Sequence, residues 1–184
     1  MASITPEQAL VALQEAELLY SPTQIGAALD RMATLISAEL ANRDPLVLLV
    51  MNGGFILGAH LLARLNFPLR VGYLHATRYR GQTRGGEILW LAHPRPSVTD
   101  QVVLVVDDIF DEGDTLQSIL TEIHQAGAQA VYSAVLVNKQ HDRKPAGLTV
   151  DFVGLDAPDR YVFGCGMDYQ EYWRNLTAIY AVRE

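Results

Sequence analysis

The chain has 184 residues, of which 49% are hydrophobic and 19% charged, and its formal net charge is −7. This length and composition indicate one globular domain with a well-buried core, and the acidic balance argues against general nucleic-acid binding. No apolar run reaches the length of a membrane span, Met1–Tyr20 lacks the pattern of a signal peptide, and the single cysteine excludes an internal disulfide, so we expect a cytoplasmic protein without a membrane partner.

Two helix starts open the chain. Thr5 is a capping residue followed by proline, with Gln8 three positions later, and we expect a short amphipathic helix that includes Leu18. A second helix begins after Ser21, and one apolar stripe runs along it. The stripe consists of Ile25, Leu29, Met32, Ile36 and Leu40. We expect both helices to pack on a sheet, and we assign them no chemistry.

The first predicted strand is the apolar run Leu46–Met51, which ends in Asn52, Gly53 and Gly54 before a helical pattern. A glycine pair at a strand end lets the backbone approach a ligand closely. A plain turn at the end of the strand is the alternative interpretation.

The next strand, Leu69–Ala76, alternates in hydrophobicity and leads into the most loop-like stretch of the chain, residues 77–86. That stretch contains Arg78, Tyr79 and Arg80. Such a loop can close over an anionic ligand and exclude water. A simple hairpin connection to the strand Ile88–Ala92 is the alternative, and both interpretations can hold together.

The stretch Val102–Leu116 carries the strongest chemical pattern. A β-branched apolar run typical of a buried parallel strand ends in Asp107 and Asp108. Asp111, Glu112, Gly113, Asp114 and Thr115 follow, and a helical stripe starts at Leu116. The sequence therefore predicts strand, acidic loop and helix.

This unit predicts a ligand site, because ligands of open α/β sheets bind at the carboxyl ends of the strands. A glycine-containing loop at a helix N-terminus presents backbone amides to a phosphate, and carboxylates before it suit sugar hydroxyls or a divalent cation. The alternative is that Asp107 and Asp108 form a turn and that Asp114 or Thr115 caps the helix.

The remaining strands are predicted at Ala130–Val137, followed by Asn138 and Lys139, and at Val150–Leu155. A lysine directly after a long apolar run is unusual, although extension of its ammonium group to solvent is the ordinary explanation. Cys165 is expected to be a small buried residue. The five histidines show no metal-ligand spacing and are interpreted as structural or exposed: His60, His75, His93, His124 and His141.

The stretch from Val102 to Thr115 closely resembles the phosphoribosyl pyrophosphate (PRPP) signature of the type I phosphoribosyltransferases. The resemblance implies an α/β fold with a mostly parallel central sheet flanked by helices. It also implies that residues 1–184 form a single domain, with a small hood built from the N-terminal segment and about residues 155–184.

The same resemblance assigns roles to the loops. Asp107 and Asp108 would hold the ribose hydroxyls and Mg²⁺. The 5′-phosphate would bind the loop of Asp111, Glu112, Gly113, Asp114 and Thr115. Asn52, Gly53 and Gly54 would contact pyrophosphate, although a basic residue often stands at the place of Asn52. Arg78, Tyr79 and Arg80 would belong to a mobile lid that lacks the usual serine.

Val137-Asn138-Lys139 and residues 158–169 resemble the purine-binding segments of hypoxanthine-guanine phosphoribosyltransferases. Lys139 would donate to the purine 6-oxo group, the ring of Tyr161 would stack on the base, and the backbone of Val162 would read its edge. Asp168 would organise Mg²⁺ with pyrophosphate, and Arg174 would contact pyrophosphate. Asp111, nearest the base, is the candidate proton acceptor at N7.

The implied reaction joins hypoxanthine or guanine to PRPP and gives IMP or GMP and pyrophosphate. The implied partners are PRPP, the purine base and further copies of the chain in a homodimer or homotetramer. Three alternatives remain at this point: a xanthine-preferring relative, a non-catalytic regulator that senses PRPP or a nucleotide, and a purely structural α/β domain.

Overall fold

A six-stranded sheet with helices on both faces forms the body of the protein, and a three-stranded sheet covers one end. The computed structural model describes residues 4–78 and 88–183. In chain order the elements are α1 (Pro6–Glu15), β1 (Glu17–Tyr20), α2 (Pro22–Leu40), β2 (Leu46–Val50), α3 (Gly54–Leu62), β3 (Arg70–Arg78), β4 (Ile88–Arg95), β5 (Val102–Phe110), α4 (Asp114–Gln125), β6 (Ala130–Lys139), β7 (Phe152–Ala157), β8 (Val162–Phe163) and β9 (Ile179–Ala181).

The main sheet has the strand order β4-β3-β2-β5-β6-β7, and every neighbouring pair except β3 and β4 is parallel. The predicted α/β class with a mostly parallel sheet is therefore confirmed. The central strands are apolar throughout because both of their faces are covered. One face packs against α2 and α3, and the other packs against α4.

The parallel pairing sets where the strands end. The β5–β6 ladder keeps one register from Val102 opposite Ala130 to Phe110 opposite Asn138. The β2–β5 ladder places Leu49 opposite Val106, just before the acid pair. As a result the carboxyl ends of β2, β5 and β6 lie side by side at one edge of the sheet.

The small sheet has the order β1-β9-β8 and is antiparallel. We call this sheet, together with residues 158–183, the hood. Long-range contacts tie the N-terminal residues to residues 158–183: Trp173 Nε1 donates to the carbonyl of Ala9 over 2.8 Å, and Arg160 Nη1 donates to Glu17 Oε2 over 2.6 Å. The N-terminal and C-terminal parts of the chain therefore stabilise each other.

The prediction that the first helix includes Leu18 is wrong. The capping box of Thr5 and Gln8 forms, but α1 ends at Glu15, and Leu18 lies in β1 opposite Tyr180. A strand forms there because β9 offers it a hydrogen-bonding partner that is distant in the sequence. The prediction that both helices pack on the sheet holds for α2, whose apolar stripe is buried. The α1 segment instead contacts the hood, because Tyr172 donates to the carbonyl of Ile4 and Trp173 donates to the carbonyl of Ala9.

Strands β4, β5 and β6 continue beyond the residues predicted for them. Strand β5 continues through Asp107 and Asp108 to Phe110, β6 continues to Lys139, and β4 continues to Arg95. In each case a neighbouring strand supplies backbone partners beyond the apolar run. The two acids therefore belong to a strand and not to the loop that follows it.

The edge hairpin of β3 and β4 has an open apolar face. Leu74 and Ala76 of β3 are buried, whereas Val71 and Tyr73, on the alternating set of positions identified in the sequence, are each 50% exposed. Leu89 and Leu91 of β4 are exposed to a similar extent. No helix within the described ranges has the length and apolar content needed to cross a membrane.

The helix cap at Ser21 provides a test of this fold. Its hydroxyl accepts from the amide of Gln24, and the Gln24 side chain accepts from the amide of Ser21 over 2.9 Å, which satisfies the start of α2. Ser21→Ala should lower the free energy of unfolding by about 1 kcal/mol in chemical denaturation. Thr34→Ala, at an exposed position in the same helix, is the control and should change it by less than about 0.5 kcal/mol. Equal effects of the two substitutions would contradict the capping role.

Candidate active site

The acid pair closes the buried part of β5. Successive strand residues face opposite sides of the sheet, so Asp107 and Asp108 leave the strand in different directions. The Asp107 carboxylate turns back and accepts from the Asp108 amide over 2.9 Å. Burial raises the pKa of Asp107 well above its usual range, and the neighbouring charge of Asp108 raises it further. Burial also raises the pKa of Asp108.

Three glycines bring backbone directly against this strand end. A Cβ at Gly53 would lie 2.1 Å from Asp108 Oδ2, and one at Gly54 would lie 2.4 Å from the carbonyl oxygen of Val106. A Cβ at Gly166, where φ is +107°, would lie 2.5 Å from the carbonyl oxygen of Gly53. The ends of β2 and β5 and the hood therefore approach one another so closely that a side chain larger than that of glycine would clash at these three positions.

Arg174 from the hood supplies positive charge beside the acids. Its guanidinium donates to Asp168 Oδ1 over 2.6 Å and to the carbonyl of Gly166 over 2.7 Å. It lies 3.8 Å from Asp108 Oδ2. Asp168 is held on its other oxygen by the amide of Glu171, at 2.8 Å. Asp168 thus orients Arg174 towards the acid pair.

The loop after β5 leads into α4 with a left-handed residue. Gly113 is the N-cap with φ +86° and has no side chain of its own to cap the helix. The start of α4 therefore presents backbone amides of the kind that bind anions. Glu112 and Asp114 have the same charge sign as a phosphate, so backbone amides must provide the attraction in this loop.

Asp111 is clamped by two donors from the end of β6. Lys139 Nζ lies 2.8 Å from Oδ2, and His141 Nε2 lies 2.8 Å from Oδ1. Burial by itself raises the pKa of Asp111, but the hydrogen bonds and charges of Lys139 and His141 outweigh burial, and the net pKa is lowered. Asp111 is consequently a carboxylate at neutral pH.

A ring of further contacts fixes the turn that carries these donors. Arg143 makes two 2.7 Å bonds to Asp159, which hold the pKa of Asp159 down at about 2. Lys144 donates to Asn138 Oδ1 and to the carbonyl of Lys139, and its ammonium lies 4.4 Å from the centre of the Phe110 ring. These contacts anchor the turn to β5, to β6 and to the residues before β8.

Tyr161 and Val162 lie at the hood side of the same edge. Tyr161 is 49% exposed and makes an edge contact with Tyr169, with the ring centres 5.6 Å apart. Val162 is buried in β8 and pairs with Ala181. The exposed Tyr161 ring can stack on a flat ligand, and pairing with β9 fixes the position of the Val162 backbone.

Two cavities adjoin at the acid loop. The first, of about 470 Å³, is lined by Asn52, Gly53, Asp107, Asp108, Asp111, Glu112, Gly113, Asp114, Thr115, Asp168 and Arg174 among others. The second, of about 340 Å³, is lined by Asp108, Ile109, Asp111, Lys139, Tyr161, Val162, Met167 and Asp168. Asp108, Ile109, Asp111 and Asp168 belong to both cavities.

The structure therefore brings nearly all of the predicted site residues to one edge. Gly54 is the exception among the described residues, because it packs on the backbone of β5 and does not line either cavity. Tyr79, Arg80 and the side chain of Arg78 lie outside the described residues, so the predicted lid stays a prediction.

His141 lies against the site, although the sequence analysis assigns it only a structural or exposed place. Its side chain is 4% exposed and contacts Asp111. Its position two residues beyond Lys139, at the end of a predicted strand, was the available signal. Arg143 and Asp159 carry no such local signal, because their pairing joins two separate turns.

Two sets of acidic residues differ in their ability to hold a metal. Within the described ranges, Asp111, His141 and Asp159 have ligand atoms within 4.8 Å of one another, but Lys139 and Arg143 already pair with the two carboxylates. Asp107, Asp108 and Asp168 do not converge in this way. Asp107 and Asp108 remain rich in oxygen donors, with Arg174 as the nearby cation.

Comparison with known proteins gives consistent matches. The phosphoribosyl transferase domain matches residues 16–171, a range that contains every lining residue of both cavities except Arg174. The hypoxanthine-guanine phosphoribosyltransferase of Staphylococcus epidermidis is 29% identical over 163 residues, covering 88% of this chain and 90% of that protein. The Homo sapiens protein of the same name is 30% identical over 165 residues, covering 84% and 75%. A solved structure of the hypoxanthine phosphoribosyltransferase from Trypanosoma cruzi superposes with a TM-score of 0.84 at 27% identity, covering 92% of this chain and 97% of that chain.

The raised pKa of Asp107 leads to a test of stability against pH. A carboxyl whose pKa is higher in the folded than in the unfolded state opposes folding once the pH rises above the unfolded value, near 4. Asp107→Asn should therefore raise the denaturation midpoint at pH 8 in EDTA, and its advantage should shrink as the pH falls towards about 4. Asp142→Asn, at an exposed position, is the control and should give no such trend. A variant that is less stable than the wild type at pH 8 would show that the ionised Asp107 carboxylate does not oppose folding.

Proposed function

The chain belongs to the phosphoribosyl transferase family, and from this premise we propose that it acts as a hypoxanthine-guanine phosphoribosyltransferase in purine salvage. In this reaction the phosphoribosyl group moves from PRPP to N9 of a 6-oxopurine, and pyrophosphate leaves. The observation that carries the proposal is the pair of cavities that adjoin at Asp108 and Asp111. One is polar and suits a sugar phosphate, and the other has an aromatic ring and a lysine that suit a base.

The larger cavity offers a place for each part of PRPP. The amides at the start of α4 would bind the 5′-phosphate, and the carboxylates of Asp107 and Asp108 would accept from the ribose hydroxyls. Pyrophosphate would lie towards Asn52, Gly53 and Arg174. Because Asn52 is uncharged, Arg174 is the side chain with positive charge in this lining.

Mg²⁺ fits the acid pair on chemical grounds. Asp107 and Asp108 provide hard oxygen donors, and burial raises the pKa values of both carboxyls, so a cation bound between them would favour their ionised forms. When bound, Mg²⁺ supplies charge that neutralises the leaving pyrophosphate. Both Asp168 oxygens already accept hydrogen bonds, so we assign Asp168 the task of holding Arg174 beside the metal ligands.

The smaller cavity provides a complementary set of contacts for a purine. The Tyr161 ring would stack on the base, the Val162 backbone would read its edge, and Lys139 would donate to the 6-oxo oxygen. Lys139 pairs with Asp111 in the described structure. Binding of a 6-oxopurine would therefore draw the Lys139 ammonium away from Asp111, at least in part.

This movement of the Lys139 ammonium would make Asp111 a better base once the purine is bound. With two donors its pKa is lowered, which keeps it ionised. Once Lys139 donates to the base, one of those stabilising contacts is weakened and the carboxylate gains proton affinity. Asp111 would then accept the proton at N7 as N9 attacks C1′ and the C1′–pyrophosphate bond breaks.

We also infer that the chain associates with further copies of itself, as a dimer or tetramer. The support is the apolar face of the β3–β4 hairpin, defined above by Val71, Tyr73, Leu89 and Leu91. Four large apolar side chains about half exposed on adjacent strands are costly to leave in water. Sedimentation of the purified protein determines the state, and a monomer at micromolar concentration would contradict this inference.

Asp111→Asn tests the catalytic part of the proposal. The amide cannot accept the proton, so kcat should fall by roughly 10²–10⁴, whereas the KM for PRPP should change much less because the loop backbone is intact. Asp100→Asn, at the opposite end of β5, is the control and should retain full turnover. A near-normal kcat for Asp111→Asn would remove Asp111 from the base role.

The choice of purine tests the role of Lys139. The assay measures PRPP-dependent turnover with hypoxanthine, guanine, xanthine, adenine and orotate. We expect turnover with hypoxanthine and guanine. Adenine presents a 6-amino donor to the Lys139 ammonium, and the mismatch should cost ~1–3 kcal/mol, or about one to two decades in kcat/KM. Lys139→Gln should narrow the gap, because an amide accepts as well as donates. Undiminished discrimination by Lys139→Gln would show that another group reads the base, and turnover with none of the five bases would refute the proposed function.

A further inference from the structure

His141 is a buried polar side chain to which the proposed reaction has so far assigned no task. It follows β6, its side chain is 4% exposed, and its Nε2 lies 2.8 Å from Asp111 Oδ1. Asp111 itself is 41% exposed and lines both cavities. The imidazole thus contacts one oxygen of a carboxylate that is partly exposed in both cavities.

The second ring nitrogen determines the form of the imidazole. Nδ1 accepts a hydrogen bond from the backbone amide of Arg143 at 3.2 Å. A ring nitrogen that accepts carries no proton, so the proton of the neutral ring is on Nε2 and points to Asp111. The two bonds from Arg143 to Asp159 hold this backbone amide in place. The backbone of the turn therefore selects the Nε2–H tautomer of His141.

We propose that His141 is the positioning residue for Asp111: as a neutral imidazole it holds Oδ1 so that Oδ2 is aimed at the base when Lys139 is drawn away. The proposal rests on the proposed function, because it assumes that Asp111 accepts a proton from a purine. Lys139 and His141 each occupy one carboxylate oxygen, and only Lys139 has a second task. His141 therefore remains as the fixed support.

Five charged side chains in the described part of the chain lie around Asp111 and His141. They are Lys139, Glu112, Arg143, Lys144 and Asp159. The pKa of Asp159 is lowered to about 2 by its bonds to Arg143, so Asp159 stays ionised above pH 5. Removal of the Nε2–H donor should raise the pKa of Asp111, because that hydrogen bond stabilises the carboxylate.

The test compares His141→Leu with His141→Gln, since the Gln amide can replace the donated hydrogen bond but cannot carry a proton as a ring does. His141→Leu should lower kcat roughly 10- to 100-fold, the size expected for a lost hydrogen bond to a charged group, and should move the acidic limb of the kcat–pH profile up by about one unit. The KM for PRPP should change less than about threefold. His141→Gln should restore most of the lost activity and the wild-type limb. His124→Leu, at an exposed histidine of α4, is the control.

Nitrogen NMR of the unliganded wild-type protein supplies a readout that does not depend on turnover or on the folding of a variant. It should find His141 as the Nε2–H tautomer. The Nδ1–H tautomer would overturn the proposal, as would a His141→Leu variant with normal kcat, or a His141→Gln variant as impaired as His141→Leu. Those results leave the proposed function intact. A wild-type protein without turnover on any purine would instead refute the proposed function, and this role with it.

Discussion

Parallel pairing between β5 and β6 extends in one register to Phe110 and Asn138, beyond the acid pair of β5 and the apolar run of β6. Asp111 and Lys139 are the residues that follow this pair, and their side chains meet at 2.8 Å although 28 positions separate them. A shift of one residue would turn Lys139 to the other face of the sheet. The ladder therefore determines that Lys139 is the cation beside Asp111, a residue that lines both cavities.

The two cavities use the same electrostatic arrangement. Each places carboxylates at the end of β5 and one cation from another part of the chain against them: Arg174 beside Asp108, and Lys139 beside Asp111. Neither cation is adjacent to its acid in the sequence, so neither interaction forms without the fold. Ligands that bring their own charge or their own acceptor compete for these cations. In the proposed reaction, loading of the site would therefore also change the electrostatic environment of Asp111.

Periodicity and local chemistry were sufficient to predict much of the molecule. The caps at Thr5 and Ser21, the stripe of α2, the buried strands and the turn at Gly113 all depend on neighbours within a few positions. The segment around Leu18 was assigned to a helix because its strand partner, Tyr180, lies at the far end of the chain. The length of β5 was underestimated for the same reason, since β6 supplies the partners that extend it.

The sequence by itself determined the α/β class, the acid loop at a helix start and the glycine pair after the first strand, because these features are encoded by residue type and spacing along one element. The other residues of the candidate site were predicted through the resemblance to the phosphoribosyltransferases. Only the tertiary structure decided that His141 supports Asp111, that Asp168 orients Arg174, and that Gly53 lies against Asp108. These contacts join segments brought together by the parallel sheet and the hood. Their geometry follows from strand register and close backbone approach, and a linear pattern of residues contains neither.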